Sequence, residues 1–176
     1  AALEANAVRP KAFEFRRFDT GEALHRIPLG EVHEQRHGAP YLQLHRSDLH
    51  AALQHAVHAL DPQAVTLDAR VTSIDEGPGG ATLHFDALPS VQAELVVGAD
   101  GIKSVVRRHV IGDDRPVATG QVAWRCTVPT ERIAPELRTD IVSTIWCGPK
   151  NHAVMYYLRG GALLNFVGCV ESATPE

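Results

Sequence analysis

Glu94-Leu95-Val96-Val97-Gly98-Ala99-Asp100-Gly101-Ile102-Lys103-Ser104-Val105-Val106-Arg107-Arg108 decides how this chain is read, because an apolar run stops on Gly-Ala-Asp-Gly and a helix-forming stretch follows. Continuous Val/Leu runs suit parallel strands buried on both faces, and ligands of open α/β sheets gather beyond the carboxyl ends of such strands. The segment is therefore expected to be a strand that delivers the Asp100 carboxylate to a loop, where a ribose hydroxyl or a flavin could be held. A second reading makes Asp100 the cap of a helix that starts near Ser104.

Periodicity organises the chain on either side. Residues 11–19 and 23–29 flank Thr20-Gly21-Glu22 and read as a hairpin. Residues 41–44 form a short strand that enters a helix over about 46–60, ended by Pro62. Residues 65–67, 69–75, 81–85 and 91–97 read as strands, with Gly77-Pro78-Gly79-Gly80 as the turn of the middle pair. A helix over 104–110 is followed by the polar turn Gly112-Asp113-Asp114-Arg115-Pro116, the best internal boundary. Beyond it, residues 121–128, 141–147, 153–158 and 163–170 read as strands of an antiparallel sheet, and 133–137 as one helical turn. The expected fold class is α/β (α+β), with boundaries at 1–40, 41–112 and 113–176, and the early hairpin is free to join the later sheet.

Composition narrows the function. A chain of 176 residues with 44% hydrophobic content can bury a substantial core. A net charge of −4 with mixed signs and only 6% aromatic residues gives neither a basic stripe nor a stacking platform, which argues against nucleic acid. Apolar runs are far shorter than a bilayer span and the first residues lack a signal-peptide pattern, so no membrane partner and a cytoplasmic location are expected. Cys126, Cys147 and Cys169 are widely spaced within strand-like runs and read as buried thiols of a reducing compartment. His55 and His58 are three apart on the long helix, whose stripe of Leu49, Leu53, Ala56 and Leu60 is expected to be buried and to turn them to solvent. No partner residues at ligand spacing accompany them, so no metal is expected.

Three segments carry a family resemblance. Val97-Gly98-Ala99-Asp100-Gly101-Ile102-Lys103-Ser104-Val105-Val106-Arg107 resembles the DGxxSxxR motif of the class A flavoprotein monooxygenases, the aromatic-ring hydroxylases of the para-hydroxybenzoate hydroxylase fold. His45-Arg46-Ser47-Asp48-Leu49-His50-Ala51-Ala52-Leu53 resembles their HRxxLxxxL segment, and residues 152–161 resemble the HxVxYPLRGG stretch of salicylate- and 3-hydroxybenzoate-hydroxylase-like members. The resemblance implies a partial FAD-binding domain joined to an antiparallel substrate sheet. It also implies FAD as cofactor, NADH or NADPH as reductant, and hydroxylation of a phenolic or aromatic acid by molecular oxygen through a flavin C4a-hydroperoxide. The family's opening GxGxxG turn and later Gly-Asp segment have no match, so the chain reads as the central portion of a longer enzyme, incomplete for FAD binding on its own. The alternatives are a relative of the same fold acting on a non-aromatic substrate, or a fragment inactive on its own. Oligomeric state is not encoded legibly, and a homodimer is compatible with the sequence.

Roles follow residue by residue. Arg46 can fork two hydrogen bonds onto phosphate oxygens, and the resemblance puts it near the flavin pyrophosphate; pairing with Asp48 or solvent is the other reading. Val71 matches the family's backbone contact to adenine. Asp100 matches the aspartate associated with FAD and NAD(P)H, and Gly101 allows close backbone approach. Arg107 is expected to hold its helix structurally against a neighbouring carboxylate, Arg108 to be solvated, and Arg159 either to meet a carboxylate or, as is more usual for Arg-Gly-Gly at a hairpin tip, to be solvated. His152 and Tyr156 lie four apart on one strand and so share a face with Val154, which makes them the substrate-site candidates. A histidine can accept or relay a phenolic proton near neutral pH and a tyrosine hydroxyl can orient it. Tyr157 stands where related sequences usually have proline, and should pair in the ladder and point away from Tyr156.

Overall fold

A computed structural model describes residues 3–113 and 115–172; Asp114, assigned to the polar turn, lies outside the described residues. The elements are β1 (Ala12–Arg17), β2 (Ala23–Pro28), α1 (Gly30–His37), α2 (Arg46–Leu60), β3 (Val71–Gly77), β4 (Gly80–Phe85), β5 (Val91–Ala93), α3 (Val105–Ile111), β6 (Gln121–Pro129), β7 (Ser143–Gly148), β8 (Asn151–Leu158) and β9 (Leu163–Glu171). This is the mixed α/β class expected. Two compact units divide the chain: residues up to Val57 together with those from Thr119 onward, and residues His58–Ala118. The units change at 57/58 and 118/119, whereas the sequence boundaries stand at 40/41 and 112/113.

The first unit is built on a six-stranded sheet in the order β2-β1-β7-β8-β9-β6. The early hairpin enters it by pairing β1 parallel to β7, and every other pair is antiparallel. Alternation gives the sheet two distinct faces. Tyr157 faces the core, 4% exposed, and its hydroxyl accepts a hydrogen bond from the Thr139 amide at 3.2 Å. On β1 the buried carboxylate of Glu14 is neutralised by Arg16, at 3.0 and 2.7 Å, and by Arg26. Removing either arginine would leave a buried charge short of partners, which is why so polar a residue can occupy a core position.

Several sequence expectations are corrected here. Residues 41–44 form no strand; only Gln43 bridges, to Val8. Residues 65–67 are bend and coil, because Pro62 and the left-handed Asp68 bracket too short a stretch for a ladder. Helix α1 was not anticipated: its sequence Gly-Glu-Val-His-Glu-Gln-Arg-His has almost no apolar stripe, although Glu31 in the first turn, Arg36 and His37 in the last, and the left-handed Gly38 cap mark its ends. Helix α2 matches its expected bounds, yet the stripe expected to be buried is open, with Leu53 56% and Leu60 89% exposed. None of the cysteines is fully buried, and Cys126, on the edge strand β6, is exposed. No helix among the described residues is long and apolar enough to cross a membrane, and no group of three His, Cys, Asp or Glu is placed to hold a metal.

The second unit holds the three-stranded sheet β3-β4-β5 and α3. The β3–β4 hairpin closes on Pro78-Gly79 between the paired Gly77 and Gly80. Gly80 has φ 119°, and an added Cβ would sit 2.2 Å from the Ala93 carbonyl oxygen, so only glycine fits. The strand expected over 91–97 stops at Ala93. Residues 95–99 find no ladder partner among the described residues, and Leu95 and Val97 are 80% and 78% exposed. The strand expected to deliver Asp100 is thus absent beyond Ala93, because an apolar run forms a strand only where a neighbour pairs with it.

Gly98 shows how tightly this run passes α3. A Cβ there would lie 2.7 and 2.8 Å from Cβ and Cγ1 of Val106, a stiff β-branched side chain. Gly98→Ala should therefore destabilise the full-length protein by about 1–3 kcal/mol in urea denaturation through overpacking. A variant as stable as its parent would show that the approach of 98 to α3 is loose.

Candidate active site

Asp100 sits in the turn before α3. Its carboxylate accepts from the Ser104 hydroxyl at 2.5 Å and from the amides of Val105 and Val106 at 2.6 and 3.3 Å, while Ser104 Oγ accepts from the Arg107 amide at 2.8 Å. Two side chains thus satisfy three amides that the first helical turn leaves without intrahelical partners. The Ser104 hydroxyl, together with these amides, holds the Asp100 carboxyl below the usual carboxylate range against the opposing effect of burial. Gly101 has φ 79°, the left-handed conformation that lets the chain turn from Asp100 into Ser104, whose amide bonds to the Gly101 carbonyl at 3.1 Å. The helix-capping reading of Asp100 is therefore realised, whatever else the residue does. Arg107 donates to the Ile102 carbonyl at 3.2 Å and braces the same turn.

Val71 and Asp100 line one cleft of about 770 Å³ in this unit. Val71, Leu83, Val96 and Val97 supply apolar wall, and Arg70, Lys103 and Arg108 bring positive charge. The three cations were missed as a group in the sequence, and Arg108, expected to be merely solvated, borders the cleft while remaining exposed. A β-bulge lies beside Val71: the register passes from Val71↔Phe85 to Ser73↔His84, leaving Thr72 unpaired in the ladder, with its hydroxyl donating to the His84 carbonyl at 3.1 Å. Bulges of this kind re-aim the local backbone, and here the irregularity falls at Thr72, next to Val71, which itself stays paired with Phe85. Gly101 is adjacent to the lining residue Asp100 but does not line the cleft itself.

In the first unit, β8 carries the other candidates. His152 is exposed and Tyr156 half-buried. Cross-strand partners share a face, so the register fixes their surroundings. His152 lies between Cys147 and Cys169, Val154 between Ile145 and Val167, and Tyr156 opposite Asn165. The result is an apolar row of Ile145, Val154 and Val167 between His152 at one end and Tyr156 with Asn165 at the other. Tyr157 pairs with Leu164 and faces the opposite side, as expected from the absence of proline.

Arg46 begins α2 with its side chain exposed. Its expected alternative partner, Asp48, is taken instead by Arg159, whose Nε and Nη2 donate to the two carboxylate oxygens at 2.8 Å each. Of the two readings the sequence left for Arg159, the structure shows the one in which it meets a carboxylate rather than solvent alone. Nothing in local spacing could reveal a pair 111 residues apart.

No family model matches the chain. Among curated proteins it is 39% identical over 171 residues to 3-amino-4-hydroxybenzoate 2-monooxygenase PtmB3 of Streptomyces platensis, covering 97% of this chain and 42% of that protein. It is 35% identical to 3-hydroxybenzoate 6-hydroxylase of Polaromonas naphthalenivorans, over 89% of this chain and 38% of that one. Among solved structures, Klebsiella pneumoniae HpxO complexed with FAD and uric acid superposes with a TM-score of 0.83 at 22% identity, covering 99% of this chain and 43% of HpxO. A salicylate hydroxylase substrate complex gives 0.71 at 21% identity over 97% of this chain and 43% of that one. The chain spans about two-fifths of the length of the curated relatives it matches. In sequence the chain is similar to one segment of aromatic-acid monooxygenases, and its fold is that of the corresponding segment of HpxO and salicylate hydroxylase.

Proposed function

We propose that the full-length protein containing this segment is an FAD-dependent, NAD(P)H-using monooxygenase that hydroxylates a phenolic or aromatic acid. The observation that carries this reading is the match of nearly the whole chain to aromatic-acid monooxygenases, with the family motifs in order. The segment accordingly divides into a partial FAD-binding part, within 41–112, and a partial substrate sheet, within 113–176, to which the hairpin of residues 1–40 contributes.

The residues present fit the cofactor. The cleft in the second unit combines apolar wall with three cations and the carboxylates of Asp86 and Asp100, which suits an adenine and a ribose hydroxyl beside anionic phosphates. Val71, at the rim of the cleft beside the bulge, would contact the adenine through its main chain, and Asp100 and Gly101 would bring the turn before α3 against the cofactor. Arg46, exposed and uncommitted to Asp48, would donate to pyrophosphate oxygens. Bound FAD would supply the activation of oxygen. On the sheet, the apolar row of Ile145, Val154 and Val167 would lie under the ring of the substrate, and His152 would take up the phenolic proton as Tyr156 orients the oxygen. A phenolate is the more electron-rich partner for an electrophilic oxygen, so holding that proton away promotes hydroxylation.

Arg46→Ala in the full-length protein should weaken FAD binding by about 10- to 100-fold, as expected for loss of charge-assisted phosphate contacts, when the visible flavin spectrum is titrated. Unchanged affinity would remove Arg46 from the cofactor site.

A further inference from the structure

The pair Arg159–Asp48 has features that an incidental surface ion pair lacks. It is bidentate, with both carboxylate oxygens engaged at 2.8 Å. The Asp48 side chain is only 16% exposed, so the contact is made at a largely shielded carboxylate. It also joins two pieces of chain with distinct proposed tasks. Asp48 lies in the first turn of α2, two residues after Arg46, and Arg159 directly follows Leu158, the last residue of the strand that carries His152 and Tyr156. Leu158 itself is 2% exposed, which anchors that end of β8 firmly.

The backbone adds an independent observation. Arg159, Gly160 and Gly161 have φ of 51°, 63° and 98°, all left-handed. Glycine occupies the second and third of these positions without cost, whereas a side chain at the first is disfavoured. Arginine stands where the turn geometry alone would favour glycine or asparagine, so its guanidinium must return something to the fold or to the site. Its planar fork matches the carboxylate in a way that lysine would not. The Arg159 guanidinium correspondingly holds the Asp48 carboxyl below the usual carboxylate range, and Asp48 raises Arg159.

We propose that Arg159 is a positioning residue: by clamping Asp48 it fixes the start of α2, and Arg46 with it, to the β8–β9 turn, so that phosphate binding at Arg46 and ring binding along β8 depend on one strut. This rests on the functional reading above, in which Arg46 meets the flavin pyrophosphate and β8 meets the substrate. The strut touches neither ligand; it sets the distance between the elements that do.

The test uses the full-length holoenzyme and the variants Arg159→Gly, Asp48→Asn, their combination, and Arg46→Ala. Arg159→Gly suits the left-handed backbone, so it removes the guanidinium while relieving the turn. The expected result is about a tenfold rise in the FAD dissociation constant, from loss of a bidentate charged contact, and a raised KM for the aromatic acid. Asp48→Asn should reproduce it, and the double variant should be no worse than either single one. FAD affinity and KM unchanged in Arg159→Gly, with only the melting temperature altered, would reduce the pair to a structural contact and overturn the proposal while Arg46→Ala still lost flavin. FAD affinity unchanged in Arg46→Ala as well would overturn the assignment of the cofactor site and the strut together.

Discussion

Replacing His152 by Phe in the full-length protein is expected to cut coupled hydroxylation by about a hundredfold, the lower end of what a positioned general base contributes, while flavin content stays that of the unaltered protein. The separation of the two readouts follows from the roles proposed, since His152 would act on the substrate's proton while Arg46, Val71 and Asp100 would hold the cofactor. His152 is on β8 in the first unit, between Cys147 and Cys169, whereas Val71 and Asp100 line a cleft in the second. Phenylalanine keeps a planar ring on an exposed strand position, so the sheet should tolerate it. Reduction by NAD(P)H should continue and its electrons should appear as hydrogen peroxide in place of product. Product yield equal to that of the parent would return His152 to an edge histidine of the sheet.

The second large effect concerns Asp100. Asp100→Ala should weaken FAD binding about tenfold, the scale of one charged hydrogen-bonding group, and should also loosen α3 by removing the acceptor of two amides and one hydroxyl. The two consequences are separable. Because the folded carboxyl is held below its ordinary range, its contribution to stability is complete above the unfolded carboxylate's pKa and is lost as pH falls through the lowered native value. The cap should therefore weaken only in acid, and at neutral pH Asp100→Asn, which keeps one acceptor oxygen, should retain part of α3's stability. Flavin affinity unchanged in both variants, with lowered stability in Asp100→Ala, would make Asp100 a helix cap and nothing more.

What the sequence made legible was local. Helix α2, the Pro78-Gly79 hairpin and strands β6 to β9 follow from periodicity and from turn residues that act within a few positions. The shared face of His152 and Tyr156 followed from strand alternation alone. Residues 95–99 could not be judged in the same way, since an apolar run becomes a strand only when another strand pairs with it. The stripe on α2 failed for a related reason: periodicity says which residues share a face, and Leu53 and Leu60 show that a shared face need not be covered. The Arg159–Asp48 contact and the grouping of Arg70, Lys103 and Arg108 around one cleft depend on the folded path of the chain, which spacing does not report.

The central claim is tested most directly by purifying the full-length protein with FAD and following NAD(P)H oxidation, oxygen uptake and products while salicylate, 3-hydroxybenzoate and neutral phenols are added in turn. A flavin spectrum, with oxidation stimulated by one phenolic acid and a hydroxylated product formed from it, is the predicted result. A colourless protein that cannot be reconstituted with FAD would contradict the account.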